Sequence, residues 1–178
     1  MPKVSQSHLD ARREQILSAA RALFATRGFA RTSMPDLVEA SGLSIGAIYR
    51  YFRSKDDIVT AICEQGSGLL PTELTPAAIR EFLIAVQARS KEDGHAQLVA
   101  QIYAEAAVSP QLAAIVRGQL GELRLRISAL IPEKNAAHAL GIAGAFVALC
   151  QGYSQQLAVE SDVDVDGVAE ALLTITRL

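Results

Sequence analysis

Apolar residues recur every three or four positions along most of the chain, which is the spacing of amphipathic helices. The first such segment covers residues 9–27, and Arg12, Arg13 and Arg21 lie off its apolar face. Gly28 follows directly. Glycine commonly ends a helix because it adopts a left-handed backbone at little cost. The pattern therefore predicts a first helix that stops at Gly28.

Capping residues predict a short second helix over residues 34–40. Ser33 and Asp36 have the spacing of a capping box. Pro35 falls in the first turn, where its missing N–H costs little. Gly42 can take the left-handed conformation that ends this helix and lets the next begin at an angle.

A third helix is predicted from Ile45 to about Phe52, with Ser44 as its N-cap. Ile48 and Phe52 lie four residues apart and are expected to turn inward. Ser54 caps a fourth helix in the same way. The opposite side of the third helix is predicted to present Gly46, Ala47, Arg50 and Tyr51.

Beyond residue 68 the chain is rich in alanine and poor in basic residues. The chain is predicted to be all-α, with about nine helices and no strand. It divides into residues 1–55, called the head, and residues 56–178, called the body. The head is expected to be a three-helix helix-turn-helix domain. Five longer helices are predicted in the body, over residues 75–93, 96–108, 110–130, 133–159 and 164–178.

The net charge of −2 conceals an uneven distribution. Residues 1–55 carry nine Lys or Arg against four Asp or Glu, while the remaining residues carry eight against fifteen. The head therefore has a net charge of +5 and the body −7. This asymmetry favours a polyanion as the partner of the head. A solvated charged face is the alternative that the charge count alone leaves open.

Composition limits the classes of protein that the chain can form. Half of its 178 residues are hydrophobic and a fifth are charged, as in globular proteins. No apolar run approaches the roughly 20 residues of a membrane-spanning helix, and the polar N-terminus lacks a signal-peptide core. Cys63, Cys150 and the lone His95 and His138 offer no metal-ligand spacing. We expect a cytoplasmic protein with no metal and no cofactor.

Helix-turn-helix units place their third helix in the major groove of DNA. Gly46 and Ala47 are small enough to let that helix approach closely. Ile45 or Ala47 can contact a thymine methyl, and Arg50 can reach a guanine edge or a phosphate. The N-terminal half of the third helix is therefore the predicted base-reading element.

Phosphate groups are expected to meet a second set of side chains. Tyr49 and Tyr51 offer hydroxyl donors, as Ser44 does. Lys55 adds a positive charge beside the free N–H groups of the fourth helix, which together suit an anion. The ring of Tyr49 can alternatively pack in the core while its hydroxyl stays in water.

Residues 10–58 resemble the N-terminal domain of the TetR family of bacterial transcriptional regulators. The matching segments read ILSAARALFATRGFARTSM, DLVEASGLSIGAIYRYF and SKDDI. Tyr51 departs from the family, since many members carry histidine there. The resemblance implies that Ser44, Ile45, Gly46, Ala47 and Arg50 face bases. It implies phosphate contacts for Thr32, Tyr49, Tyr51 and Lys55, and Ser33 beside Thr32 is a further DNA-binding candidate.

The last two helices have apolar faces suited to pairing with a second copy. Residues 136–159 are apolar around much of the circumference and include the small residues Gly141, Ala145, Ala148 and Gly152. The resemblance implies that these helices and their symmetry mates form a four-helix dimer interface. Burial of both helices within one monomer is the alternative. The stripe on the last helix consists of Val168, Leu172, Ile175 and Leu178.

The resemblance also implies that residues 75–131 enclose a cavity for a small-molecule effector. Binding there would shift the fourth helix and change the separation of the two heads. Cys63 and Cys150 are interpreted as buried small hydrophobes. The residues predicted to line the cavity are Gln97, Gln101, Tyr103, Glu105 and Tyr153.

These inferences predict a dimeric, ligand-responsive, sequence-specific DNA-binding transcriptional regulator. The resemblance implies a repressor that a small molecule releases from a palindromic operator. The alternative is a DNA-binding regulator or architectural protein with a filled body and no effector. The chain has no nucleophile elbow, no phosphate-binding glycine loop and no paired His–carboxylate motif, so no enzymatic activity is expected.

Overall fold

A computed structural model describes residues 6–132, 136–160 and 162–176, without the side chains at positions 66 and 67. These residues form nine α-helices and no strand, which confirms the all-α prediction. The head contains α1 (Gln6–Arg27), α2 (Met34–Ser41) and α3 (Ile45–Tyr51). The helices that follow are α4 (Lys55–Ser67), α5 (Pro76–Asp93), α6 (His95–Ala106), α7 (Pro110–Ser128), α8 (Ala136–Val159) and α9 (Val165–Thr176).

The predicted helix ends of the head are confirmed by the backbone. Gly28 and Gly42 have φ values of 89° and 65°, in the left-handed region that favours glycine. Ser33 and Asp36 form the capping box, in which the Ser33 amide donates to Asp36 Oδ2 at 2.7 Å. Ser44 caps α3 by accepting from the Ala47 amide at 3.2 Å. These local contacts fix the turns between α1, α2 and α3.

Tyr51 differs from its prediction because it is partly buried and packs against the core of the head. The reason is its spacing from Ile48, which is fully buried. Residues three apart share one face of a helix, so Tyr51 follows Ile48 inward. Tyr49 lies on the other side and is exposed.

The core of the head continues into the body. Buried residues of α1 to α4, including Phe24, Ile48 and Ile58, form one hydrophobic cluster with Leu98 of α6 and Leu112 of α7. The head therefore rests on α6 and α7 through apolar contacts, in addition to its covalent link through α4. A division of the chain after residue 55 stays a prediction, since this cluster runs across it.

Arg21 also differs from its prediction, because only 9% of it is exposed. Its guanidinium donates to Gln65 Oε1 at 2.6 Å and to Glu14. Burial raises the pKa of Glu14, but hydrogen bonds from Gln65 and Arg21 outweigh it and lower the pKa overall. The cluster ties α1 to α4.

The body is built around a second hydrophobic cluster of α5, α8 and α9, with contributions from α6 and α7. Phe146 of α8, Leu83 of α5 and Leu172 of α9 are fully buried in it. The predicted ends of α8 and α9 at residues 133 and 178 lie outside the described residues.

Helix α8 is the one described helix long and apolar enough to cross a membrane by length and composition alone. It has 24 residues, a mean hydropathy of 1.3 over its most apolar window, and no Asp, Glu, Lys or Arg. The expectation that no apolar segment approaches this length is therefore wrong. Core helices of soluble proteins pass the same test, and α8 buries Phe146, Val147 and Tyr153 against its neighbours.

Loss of the α2 cap is expected to weaken the head measurably. Ser33→Ala removes a side-chain acceptor for the Asp36 amide and should lower the free energy of unfolding by about 1 kcal/mol. Chemical denaturation followed by circular dichroism measures the change. Ser18→Ala, at an exposed position inside α1, is the matched control. An equal loss in both variants would contradict a capping role.

Candidate nucleic-acid interface

The outer face of α3 exposes two large side chains that a folded core would normally cover. Ile45 is 55% exposed and Tyr49 is 47% exposed. Gly46 between them has no other atom within 4 Å of the position that a Cβ would occupy. Burial of apolar side chains is favourable, so this face is suited to close contact with another surface.

Positive charge lies beside this face. Arg50 follows Tyr49 on α3 and is exposed, as is Arg53 after the helix ends. Arg31 in the α1–α2 connector is exposed and donates through Nε to the Arg27 carbonyl at 2.7 Å. Guanidinium groups bind phosphate through several parallel hydrogen bonds, so their position suits a phosphate backbone.

Lys55 is partly buried, and its ammonium already has partners. Nζ donates to the Phe29 carbonyl at 2.8 Å and lies 4.3 Å from the centroid of the Phe29 ring. Burial lowers the pKa of Lys55, and the nearby carboxylates of Glu105 and Asp56 oppose that shift. In the free protein, the side chain therefore holds the α1–α2 connector against α4.

The remaining predicted DNA-binding residues divide by exposure. Thr32 is only 1% exposed, and its hydroxyl donates to the Gly28 carbonyl at 2.8 Å, so it does not share the exposed face. Ser33 is exposed, although its hydroxyl is bonded to Asp36. Ala47 is partly buried at the edge of α3. The predicted residues that are exposed along α3 or at its N-cap are Ser44, Ile45, Gly46, Tyr49 and Arg50.

The body contains a partly open cavity of about 170 Å³, called the body cavity. Its lining is mainly apolar and comes from α4, α5, α6, α7 and α8 and from the connector after α4. Ile62 and Cys63 of α4 lie in the wall, so the helix that follows α3 touches the cavity. The side chains of Phe82, Val99, Val116 and Phe146 contribute further apolar surface.

Two of the five predicted lining residues, Tyr103 and Tyr153, contact the body cavity. Gln97, Gln101 and Glu105 do not, because they follow a different face of α6. Gln101 donates to the Ala25 carbonyl at 3.0 Å and so faces α1. Gln97 lines a separate surface pocket with Ser90 and Lys91, and the charge of Glu105 acts on Lys55.

Sequence reasoning missed several polar residues of the lining. His95, Gln119, Gln151 and Ser154 line the cavity but are not among the residues predicted from the sequence to do so. His95 lies four residues before Val99 and eight before Tyr103, which is the spacing of one helix face. This periodicity with the apolar residues was the signal available in the sequence.

Most of the polar groups in the lining have protein partners. Gln151 donates to the Tyr103 hydroxyl, and Tyr153 donates its hydroxyl to the Leu83 carbonyl at 3.2 Å. His95 is different, because its Nδ1 is buried and has no hydrogen-bond partner. Burial is also the main reason why the pKa of His95 is lowered to about 4. The imidazole is therefore neutral near pH 7.

The two thiols of the lining are unreactive in this setting. Burial raises the pKa of Cys63 to about 11 and that of Cys150 to about 12. The thiolate is the nucleophilic form of cysteine, and it is scarce at pH 7 when the pKa is so high. Both residues act as apolar wall.

Comparisons with known proteins also point to the helices around α3. The family model "Bacterial regulatory proteins, tetR family" matches residues 16–62, from α1 to α4. The transcriptional repressor Rv1474c of Mycobacterium tuberculosis is 42% identical over 86 residues, which are 48% of this chain and 44% of that protein. The repressor AcnR of Corynebacterium jeikeium is 38% identical over 65 residues, which are 36% of this chain and 34% of AcnR. The chain thus spans less than half the length of these relatives.

Solved structures match over nearly the whole chain. Salmonella enterica GusR is 25% identical, with a TM-score of 0.72 over 98% of this chain and 97% of GusR. A TetR-family regulator of Syntrophomonas wolfei shares the fold, with 19% identity and a TM-score of 0.73 over 95% of this chain and 94% of its own. Residues 16–62 of the chain match the TetR family of bacterial regulatory proteins, and the chain as a whole shares its fold with a solved TetR-family regulator.

Proposed function

We propose that this protein is a cytoplasmic bacterial transcriptional regulator that binds operator DNA and is released from it by a small molecule, as a repressor. The observation that carries the proposal is the face of α3. Ile45 and Tyr49 are exposed there beside the cationic Arg50. An exposed apolar and basic helix face next to a helix-turn-helix turn fits the major groove. The repressors named above are similar to this chain in the same segment.

The head, residues 1–55, would supply the DNA contacts, and the body, residues 56–178, would bind the ligand and pair with a second copy. Ser44, Ile45, Gly46, Ala47 and Arg50 are proposed to face bases. Phosphate contact is proposed for Tyr49, Tyr51, Lys55 and the Thr32–Ser33 pair. For Thr32 the backbone amide is the group available, because its hydroxyl is bonded internally. Lys55 would have to exchange its bond to Phe29 for a phosphate.

Pairing is proposed through α8 and α9. The outer face of α8 exposes Leu140 and Leu149 together with Gly141, Ala145 and Gly152. An added Cβ at Gly141 or Gly152 would meet nothing within 4 Å, so a second helix can approach closely. A two-fold dimer would present two α3 helices to a palindromic operator, about 34–36 Å apart.

Release by a ligand is supported by the body cavity. Ile62 and Cys63 of α4 and Tyr103 of α6 line it, and both helices also pack in the core of the head. A compound that favours one arrangement of these helices would shift the position of the head. The alternative, a DNA-binding protein with a filled body and no effector, is disfavoured because the cavity is open.

Selection of sequences from random duplexes, followed by fluorescence anisotropy at fixed moderate salt, tests the proposal directly. The full chain should prefer the selected duplex over a scrambled one of equal composition by about 1,000-fold or more. Equal affinity for the two duplexes would contradict sequence-specific regulation.

Substitutions on α3 should separate phosphate binding from base reading. Tyr49→Phe keeps the ring and removes one donor, so binding should weaken by about 1–2 kcal/mol on every duplex alike. Arg50→Ala should instead relax the preference at one base pair by about 1–3 kcal/mol. Anisotropy against single-base variants of the selected site measures both effects. A uniform loss from Arg50→Ala would assign it to the phosphate backbone.

A further inference from the structure

The size of the body cavity restricts what it can hold. Its volume is about 170 Å³. An apolar protein cavity of about 150 Å³ accommodates benzene. A compound of about one six-membered ring therefore fits the space. The apolar residues of the wall, such as Val99, Phe82 and Phe146, match such a ring.

The lining also restricts the charge of the occupant. No Asp, Glu, Lys or Arg side chain is among the described lining residues. His95 is neutral near pH 7, since burial and the charges of Arg89 and Arg21 lower its pKa, which Asp93 only partly opposes. A buried ion without a partner is strongly unfavourable, so the cavity suits an uncharged molecule.

His95 is a residue of the lining with a buried polar atom that has no partner in the protein, because its Nδ1 makes no hydrogen bond there. The Tyr103 hydroxyl accepts from Gln151, the Tyr153 hydroxyl donates to the Leu83 carbonyl, and the Gln119 amide donates to the Cys63 carbonyl at 3.3 Å. A neutral imidazole has one nitrogen that donates and one that accepts. A hydroxyl group can pair with either kind of nitrogen.

From size, charge and this open position, we propose that the body cavity binds a neutral single-ring compound with one hydroxyl group, whose hydroxyl pairs with His95. The inference rests on the proposed function, because it names the chemical class of the effector. It assigns His95 as the residue that distinguishes hydroxylated rings from plain hydrocarbons.

Isothermal calorimetry on the full chain with four ring compounds tests the inference. Phenol is expected to bind about three- to tenfold more tightly than toluene, which has the same number of heavy atoms and no hydroxyl. Benzoate and benzylammonium are expected to bind at least about tenfold more weakly than phenol. The inference is overturned if a charged ring binds as well as phenol, if phenol binds no better than toluene, or if neither neutral ring binds.

Two variants and a control locate the binding. His95→Leu should bring the affinity for phenol down to that for toluene while leaving toluene unchanged. Val99→Phe, which fills the cavity, should reduce the affinity for both rings. Gln97→Leu, on the same helix but outside the lining, should change neither. Thermal melts confirm that each variant is folded. If a variant does not fold, the affinities of the wild-type protein for the four compounds decide the question.

DNA binding measured in parallel separates this inference from the proposed function. Without any ring compound, the wild-type protein should bind its selected duplex. If it does, and the affinities of the four compounds do not follow the expected order, only the inferred effector class is refuted. If the wild-type protein shows no preference for its selected duplex, the proposed regulatory function is refuted, regardless of which ring compounds bind.

Discussion

Ala148→Glu in α8 is expected to convert the proposed dimer into monomers and to weaken operator binding about 100-fold or more. Ala148 is exposed in the monomer, on the α8 face that includes Ala145 and Gly152. Close packing against a second copy would bury the new carboxylate, and no basic residue of α8 is available to pair with it. A monomer holds one half-site at a time and loses the gain from linking two heads.

Light scattering after size-exclusion chromatography reports the oligomeric state, and anisotropy on the selected duplex reports the affinity. Ala88→Glu, at an exposed position of α5, introduces the same charge away from α8 and is the matched control. It should remain dimeric with unchanged affinity. Dimers of Ala148→Glu at every concentration tested would place the interface elsewhere, and the burial of α8 within the monomer would then be its main role.

The sequence was most informative where a structure depends on neighbouring residues. Gly28 and Gly42 adopt the left-handed backbone that their positions predict, and Ser33 and Ser44 form the expected caps. As a result, the ends of α2 and α3 lie within one residue of their predicted positions. Caps and left-handed turns are decided within four or five residues of the chain, so local chemistry suffices.

Contacts between residues that are distant in sequence could not be predicted from local patterns. Arg21 has the sequence setting of a solvated charge, yet Gln65, 44 residues away, accepts its hydrogen bond in a nearly buried position. Lys55 likewise meets the Phe29 carbonyl 26 residues before it. Only the packing of α1 against α4 creates these partners. Long polar side chains can bury their stems beside another helix, which composition and spacing do not reveal.

The lining of the body cavity also depends on tertiary packing that the sequence does not reveal. Gln97, Gln101 and Glu105 are predicted to line the cavity because they are polar residues on an apolar helix. Helix α6, however, has neighbours on two sides. One face meets the head, where Gln101 bonds to Ala25, and the other meets the body cavity through His95 and Tyr103. A helix between two cores can carry polar groups on either face, so polarity alone does not identify the side that faces a ligand.

That arrangement also places α6 between the body cavity and the head. Tyr103 contacts the body cavity, and Gln101, two residues earlier, holds the end of α1. The opposite end of the head is connected through α4, from Lys55 at its start to Cys63 in the cavity wall. Two helices thus join the cavity to the head, and a ligand that moves either of them would change the position of α3.

The stability of the protein is expected to fall as the pH is lowered from about 6.5 to about 4, and His95 should account for about 3 kcal/mol of the loss. Burial is the first cause that lowers the pKa of His95 from 6.5 to about 4 in the folded chain. Between these values the unfolded chain takes up a proton that the folded chain does not. The stabilising contribution is therefore complete above pH 6.5 and disappears as the pH falls through 4. A shift of one pKa unit corresponds to about 1.4 kcal/mol.

Urea denaturation at a series of pH values measures this dependence. The protein concentration is held fixed, because the proposed dimer formation would make stability concentration-dependent. His95→Leu should remove most of the slope between pH 6.5 and 4. Gln97→Leu, on the same helix and without a titratable group, should leave the slope in place and is the matched control. Glu14 and Asp36 also have lowered pKa values, and their contributions to stability are lost as the pH falls below about 4. These losses are the same in both variants. A His95→Leu variant with the full wild-type slope would show that the imidazole is solvated, and His95 could not then be the open hydrogen-bonding position of the body cavity.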